Sequence, residues 1–133
     1  MPTARITIDF GLVVLIWLVQ LIVYPSFRYY NPTELAIWHP KYSNLITLIV
    51  GPLMLAQVAL VGTELWQRFT WPTLLSAILV GLMWVATAFV SVPIHNAIAV
   101  GNASPTTLAR LVDTNWLRTI GWTIIFLMGV IRH

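Results

Sequence analysis

The sequence predicts an all-α integral membrane protein, an antiparallel bundle of four helices that forms a single domain over residues 1–133. Only 8% of the residues are charged whereas 59% are hydrophobic, and the few charges divide the chain into long apolar runs. Crossing the hydrocarbon core of a bilayer takes about 20 mostly apolar residues in a helix, and these runs supply four such crossings. Because the connections between them are short, consecutive helices are expected to be antiparallel neighbours.

The first run predicts a helix at about 6–24. It is free of charge between Asp9 and Arg28, and Pro25 marks the point where we expect the chain to leave the membrane. Four crossings place both chain termini on one face of the membrane, so the connection after this helix lies on the opposite face.

The second charge-free run, residues 42–63, lies between Lys41 and Glu64 and predicts a helix at about 40–61. Pro40 suits the first turn of this helix, because the N–H that a proline lacks would be unpaired there anyway. A kink is expected at Pro52, since a proline inside a helix removes one hydrogen bond.

The third and fourth helices are predicted at about 72–94 and 107–131. The charge-free part of the last run is too short to cross a bilayer, so a full crossing has to begin near residue 112. This argument brings Asn115 and Arg118 to or into the membrane.

The composition also excludes several classes of function. The chain has no cysteine, which excludes disulfides, thiolate metal sites and cysteine nucleophiles. Its net charge of +3 is spread without any basic cluster, so no nucleic-acid partner is expected. We expect a multi-pass protein of a bacterial inner (cytoplasmic) membrane. The termini are expected on the cytoplasmic side if Arg118 is buried and Arg110 pairs with Asp113.

Polar residues converge on the membrane face opposite the termini, where the ends of all four runs meet. Such groups are costly at membrane depth unless they are paired or line a wet cavity, so their convergence predicts a functional site. The polar residues at this face include His39, Tyr42, His95, Asn96, Asn115 and Arg118.

The fourth helix gives the strongest pattern at this face. Asn115, Arg118, Thr119 and Trp122 follow the spacing i, i+3, i+4 and i+7, which aligns them on one side of a helix. An intramembrane arginine normally faces the bundle interior, although snorkelling to the lipid headgroups is an alternative. On the first helix, Gln20, Tyr24 and Arg28 repeat every four residues and form a similar polar stripe that is aimed at the same end.

The two histidines leave three alternatives open. His39 and His95 could ligate a haem iron, transfer a proton to or from a substrate, or hydrogen-bond between helices. Two histidines are too few for a typical zinc or non-haem iron site, so no dedicated metal site is expected. Away from this face, Asp9 and Glu64 are expected to be solvated, and Gln57 to hydrogen-bond between helices.

Two short motifs resemble a known family. The stretch Val92-Pro93-Ile94-His95-Asn96-Ala97-Ile98-Ala99 and the later Asn115-Trp116-Leu117-Arg118-Thr119 are similar to motifs of the membrane family that includes fungal anthrone oxygenases. Many bacterial members of that family have no assigned function. The resemblance covers residues 88–125 and carries over Asn96, Asn115 and Arg118, whereas His95 stands where another asparagine is expected. It implies a four-helix membrane bundle and oxidation of polycyclic phenolic substrates with dioxygen.

Two functions follow from these observations. The first is a small membrane oxidoreductase acting on a hydrophobic aromatic or quinone-like molecule that enters from the lipid bilayer. Its expected catalytic residues are His95, Asn96, Asn115 and Arg118, the histidine as acid or base and the others as stabilisers of a developing oxygen charge. Its expected substrate-binding residues are Tyr24, His39, Tyr42 and Trp116. The second is a non-catalytic subunit or scaffold that binds haem, pigment or lipid, as a homo-oligomer or within a larger membrane complex.

Overall fold

The computed structural model describes residues 2–132, and that part of the chain contains no strand. It forms four long helices, each long and apolar enough to cross a membrane. They are α1 (Pro2–Tyr29), α2 (Pro32–Gln67), α3 (Trp71–Ala99) and α4 (Pro105–Arg132). The predicted all-α four-helix bundle of membrane type is thereby confirmed.

The four helices pack as a ring in which α1 contacts α2 and α4, and α3 contacts the same two helices. The centre contains apolar side chains such as Leu12 and Ile125, but it also buries charged ones such as Arg5 and Asp9. Large apolar side chains point outward instead, with Leu48 72% exposed. A bundle that exposes its apolar surface and buries its charges is built for contact with lipid.

Helix α2 is longer at its start than the sequence predicts. It begins at Pro32 rather than at Pro40, and the Asn31 side chain caps it by accepting a hydrogen bond from the Glu34 backbone N–H at 2.8 Å. The helix continues through Pro40 and Pro52, so the predicted start at Pro40 is wrong. A strong cap with proline in the first turn already starts the helix, and prolines are tolerated within membrane helices.

Two wide π-helical turns interrupt α1 and α3, at Val19–Val23 and Thr87–Ser91. Each turn ends two residues before a proline, Pro25 or Pro93. A proline has no N–H to donate to the carbonyl four residues earlier, and the extra residue in a π turn accommodates that missing bond. Helix α3 therefore continues beyond Pro93 to Ala99 and carries His95 within a regular helical turn.

The side chain of Met83 on α3 packs against α4 at Gly121. A Cβ atom at this glycine would fall on the side chain of Met83, whereas nothing lies near a Cβ at Gly81. We expect Gly121→Leu to lower the free energy of unfolding by about 1–3 kcal/mol through overpacking. Gly81→Leu, its matched control on a lipid-facing surface, is expected to change it by less than about 0.5 kcal/mol. Unfolding in detergent measures both, and equal losses would contradict this packing.

Candidate functional site

A cavity of about 310 Å³ lies inside the bundle, at the end opposite the termini, and all four helices line it. One part of its wall is apolar: Leu15, Ile16, Val19, Ile46, Val50 and Val92. The other part is polar or aromatic: Tyr24, His39, Tyr42, Ser91, His95, Asn96, Arg118 and Trp122. Its lining also includes exposed residues of α2 and α3, among them Asn44, Thr47 and Ala99, so the cavity opens between these two helices.

A line of hydrogen bonds runs along the polar wall from α1 through α3 to α2. The Tyr24 hydroxyl lies 2.8 Å from Nε2 of His95, and Nδ1 of His95 lies 2.8 Å from Nε2 of His39. The second nitrogen of His39, Nδ1, is buried and has no hydrogen-bond partner among the described residues. Because a neutral imidazole carries one donor and one acceptor, shifting each proton along the line moves a proton between its two ends.

Arg118 lies near the middle of α4 and faces the bundle interior, with only 6% of its surface exposed. Its Nη1 atom lies 3.4 Å from both Ser91 Oγ and Asn115 Oδ1, and its guanidinium carbon lies 4.9 Å from the centre of the Trp122 ring. Within residues 2–132, no carboxylate lies within ion-pair distance of Arg118, and its Nε has no hydrogen-bond partner. The cavity wall thus contains a buried cation with neutral partners only.

Asn115 lies behind the cavity rather than in its lining. Its amide donates to Gln20 Oε1 at 2.9 Å, and the same oxygen accepts a hydrogen bond from Thr119 at 2.8 Å. The Gln20 amide in turn donates to the Val112 carbonyl at 3.1 Å. This network ties α1 to α4 and orients the Asn115 carbonyl oxygen towards Arg118. Gln20 belongs to the polar stripe predicted on α1, but the sequence predicts no role for it in the site; its i, i+4 spacing to Tyr24 is the signal for one.

Most of the predicted site residues line the cavity, namely Tyr24, His39, Tyr42, His95, Asn96 and Arg118. Trp116 does not line the cavity. It is 38% exposed on the outside of α4 and meets Trp17 edge-on at 5.7 Å. Since successive helix residues are about 100° apart, a residue next to the inward-facing Asn115 turns away from the bundle interior. Trp122, one turn beyond Arg118, supplies the aromatic surface instead.

A second buried polar cluster occupies the other end of the bundle. Arg5 is fully buried and donates to Asp9 Oδ2 and to Glu64 Oε2, both at 2.7 Å. The Asp9 carboxylate also accepts a hydrogen bond from Gln57 at 2.8 Å. The expectation that Asp9 is solvated is therefore wrong, because the i, i+4 spacing of Arg5 and Asp9 places both on the inward face of α1, where they pair. Glu64 keeps 13% of its side chain exposed and pairs with Arg5 and, at 3.8 Å, with Arg132.

The metal and haem alternatives can be compared with this geometry. Among residues 2–132, no group of three or more histidine, cysteine or acidic side chains could hold a metal ion. The rings of His39 and His95 are in direct contact, stacked with their centres 5.0 Å apart. Axial ligation by both would require a macrocycle between the two rings, so this pair does not fit haem.

The geometry of the site is the basis for assigning a function. No protein-family model matches the chain, and neither a curated protein nor a solved structure matches it. Fold and site together define a class: a four-helix membrane bundle with an internal, laterally open cavity. The cavity contains a histidine pair and an arginine that has no carboxylate partner among residues 2–132.

Proposed function

We propose that the protein is a small membrane oxidoreductase whose substrate is a hydrophobic aromatic molecule with a phenolic or quinone-like oxygen. The observation that carries this proposal is the buried Arg118 cation, which has no carboxylate partner in the described chain. A charge at membrane depth is costly unless something pairs with it. A substrate oxygen that acquires negative charge supplies that partner, and the apolar wall of the cavity suits the attached rings.

Each polar residue then has a defined role. Arg118 binds the substrate oxygen and stabilises its negative charge, because donors already aimed at a developing charge need no reorganisation. Ser91 and Asn115 hold the guanidinium in position. His95 accepts a proton from the substrate and shares it with His39 along their hydrogen bond. Asn96 and Tyr42 line the same cavity and orient the remaining polar groups of the substrate.

The resemblance to anthrone oxygenases supplies the oxidant, dioxygen, and a reaction that balances. The ring methylene of an anthrone loses a proton to the histidine pair, and its ketone oxygen becomes an enolate that Arg118 stabilises. Dioxygen then oxidises this carbon by four electrons. One oxygen atom stays as the new carbonyl, and the other leaves as water with the two methylene hydrogens. The protein has to supply only the base, the oxyanion partner and an apolar cavity.

The direct test is turnover of anthrone by the purified protein in mild detergent under air. We expect anthraquinone to form with equimolar consumption of dioxygen, above a detergent blank. A preparation that turns over neither anthrone nor a quinol would remove the enzyme proposal. If the purified protein instead carries the absorption of a pigment, the non-catalytic alternative takes its place.

The hydrogen-bonded line from Tyr24 through His95 to His39 gives a second prediction. We expect His95→Asn to leave the bundle folded but to lower turnover by about 10²-fold, since general acid–base catalysis contributes about that much. Tyr24→Phe removes the hydroxyl at the other end of the line and is expected to lower turnover less. Tyr29→Phe is the matched control, because Tyr29 is exposed and makes no contact with the cavity. Unchanged turnover in His95→Asn would rule out the histidine as the base.

A further inference from the structure

A chain of side-chain contacts connects the two buried polar clusters across the bundle. The Gln57 amide nitrogen donates to Asp9 Oδ1 at 2.8 Å, and the Gln57 amide oxygen accepts a hydrogen bond from the Trp122 indole N–H at 3.2 Å. The face of the same Trp122 ring lies 4.9 Å from the guanidinium carbon of Arg118. Asp9, Gln57 and Trp122 are each at most 1% exposed, so water does not compete for these contacts.

The donor and acceptor character of the two end groups sets the direction of the hydrogen bonds in this chain. An ionised carboxylate only accepts hydrogen bonds, and an indole N–H only donates. Gln57 lies between the two, so it has to turn its NH₂ group to Asp9 and its oxygen to Trp122. Arg5 occupies the other carboxylate oxygen of Asp9 and favours its ionised form. The acceptor at Asp9 Oδ1 and the donor of the Trp122 indole therefore require the same orientation of the Gln57 amide.

We propose that Asp9 and Gln57 are positioning residues for the cavity: they fix the ring of Trp122, and that ring fixes the Arg118 guanidinium. A cation over an indole face is held electrostatically, so a rotated ring would shift the guanidinium. The expected effect on catalysis rests on the proposed function, whereas the effect on the two side chains does not.

Isosteric variants separate this role from a general effect of charge. In Asp9→Asn the new amide turns its oxygen to Arg5 and its NH₂ to Gln57. Gln57 can accept that hydrogen bond only by turning its own NH₂ to the Trp122 indole N–H, so two donors face each other at one of its two contacts. Adding Gln57→Glu restores every bond, because the new carboxylate accepts from both the asparagine and the indole. Glu64→Gln is the matched control, since Glu64 also pairs with Arg5 but does not contact Gln57.

The readout that needs no activity is NMR of the ¹⁵N-labelled protein in detergent. The Trp122 indole N–H and the Arg118 Nε–H signals are assigned by their loss in Trp122→Phe and Arg118→Lys. We expect both signals to move in Asp9→Asn, to return in Asp9→Asn/Gln57→Glu, and to stay in place in Glu64→Gln. Unmoved signals in Asp9→Asn, or equal shifts in Glu64→Gln, would overturn the proposal. If Asp9→Asn does not fold, a folded double variant with both signals at their wild-type positions supports it, and a double variant that also fails overturns it.

Turnover of anthrone supplies the second readout. We expect Asp9→Asn to lower kcat by about tenfold with a smaller change in KM, because a displaced guanidinium loses mainly transition-state contacts. The double variant is expected to recover kcat to within about threefold of the wild-type value, because the hydrogen bond that holds the Trp122 indole is restored. A wild-type protein without turnover would defeat the proposed function, while the NMR signals would still decide the positioning chain.

Discussion

Arg118→Lys is expected to lower turnover by about 10²–10³-fold while the bundle stays folded, which is the loss that follows removal of one oxyanion donor. The guanidinium reaches Ser91 and Asn115 and lies over Trp122, and its Nε is unpaired within the described chain. A lysine keeps the charge but presents a single ammonium group in place of a planar fork. It cannot keep these contacts and also bind a substrate oxygen.

Arg110→Lys is the matched control for that experiment. Arg110 lies on the same helix, but its side chain is exposed and does not line the cavity. We expect its turnover to equal that of the wild type. Thermal unfolding in detergent has to accompany both rate measurements, so that a loss of rate is not confused with a loss of fold. Wild-type turnover in a folded Arg118→Lys would remove the arginine from the mechanism.

Arg5→Leu is expected to have the largest effect on stability. Arg5 is fully buried and pairs with two carboxylates. Its removal leaves the buried Asp9 carboxylate without a cation, whereas Glu64 keeps Arg132, whose Nη1 lies 3.8 Å from Glu64 Oε2. Removing one partner of a buried ion pair costs about 3–5 kcal/mol. The free energy of unfolding in detergent measures this loss.

Two further variants test the cause of that loss. Arg68→Leu removes an exposed arginine at the end of α2 and is expected to change stability by less than about 0.5 kcal/mol. Arg5→Leu combined with Glu64→Gln is expected to recover part of the loss, because residue 64 then no longer repels the uncompensated Asp9 carboxylate. If Arg5→Leu is no less stable than Arg68→Leu, the buried ion network contributes little to the fold.

The fold could be predicted because its cause is local. Charges at membrane depth are costly, so their positions along the chain mark where the four helices cross. Helix ends are harder to predict from the sequence, as α2 shows. Pro40 suits the start of a helix, but Asn31 and Pro32 also suit one, and the helix begins at the earlier position. Both starts satisfy the same local rules, so the packing around them decides between them.

The site residues also fall into two groups: those that helical spacing predicts and those whose contacts depend on how the helices dock. Helical spacing indicates that Arg118 and Trp122 share a face, and the structure turns that face inward. The sequence also predicts that Trp116 shapes the pocket, but its angle around the helix, next to the inward-facing Asn115, turns it outward. The pairing of Arg5 with Glu64 joins residues 59 positions apart. Helical periodicity carries no information about such a contact, because it depends on how α1 docks against α2.

The central claim is that the cavity around Arg118 binds an aromatic molecule through its oxygen. Photolabelling with 4-hydroxybenzophenone tests it most directly, since this probe is a phenolic aromatic ketone that inserts into nearby C–H bonds on illumination. We expect labels on cavity-lining residues of α2 and α3, displacement of the label by excess anthrone, and weak labelling of Arg118→Lys. Labels spread over outward-facing residues such as Leu48 and Phe89, or labelling that anthrone does not displace, would contradict the claim.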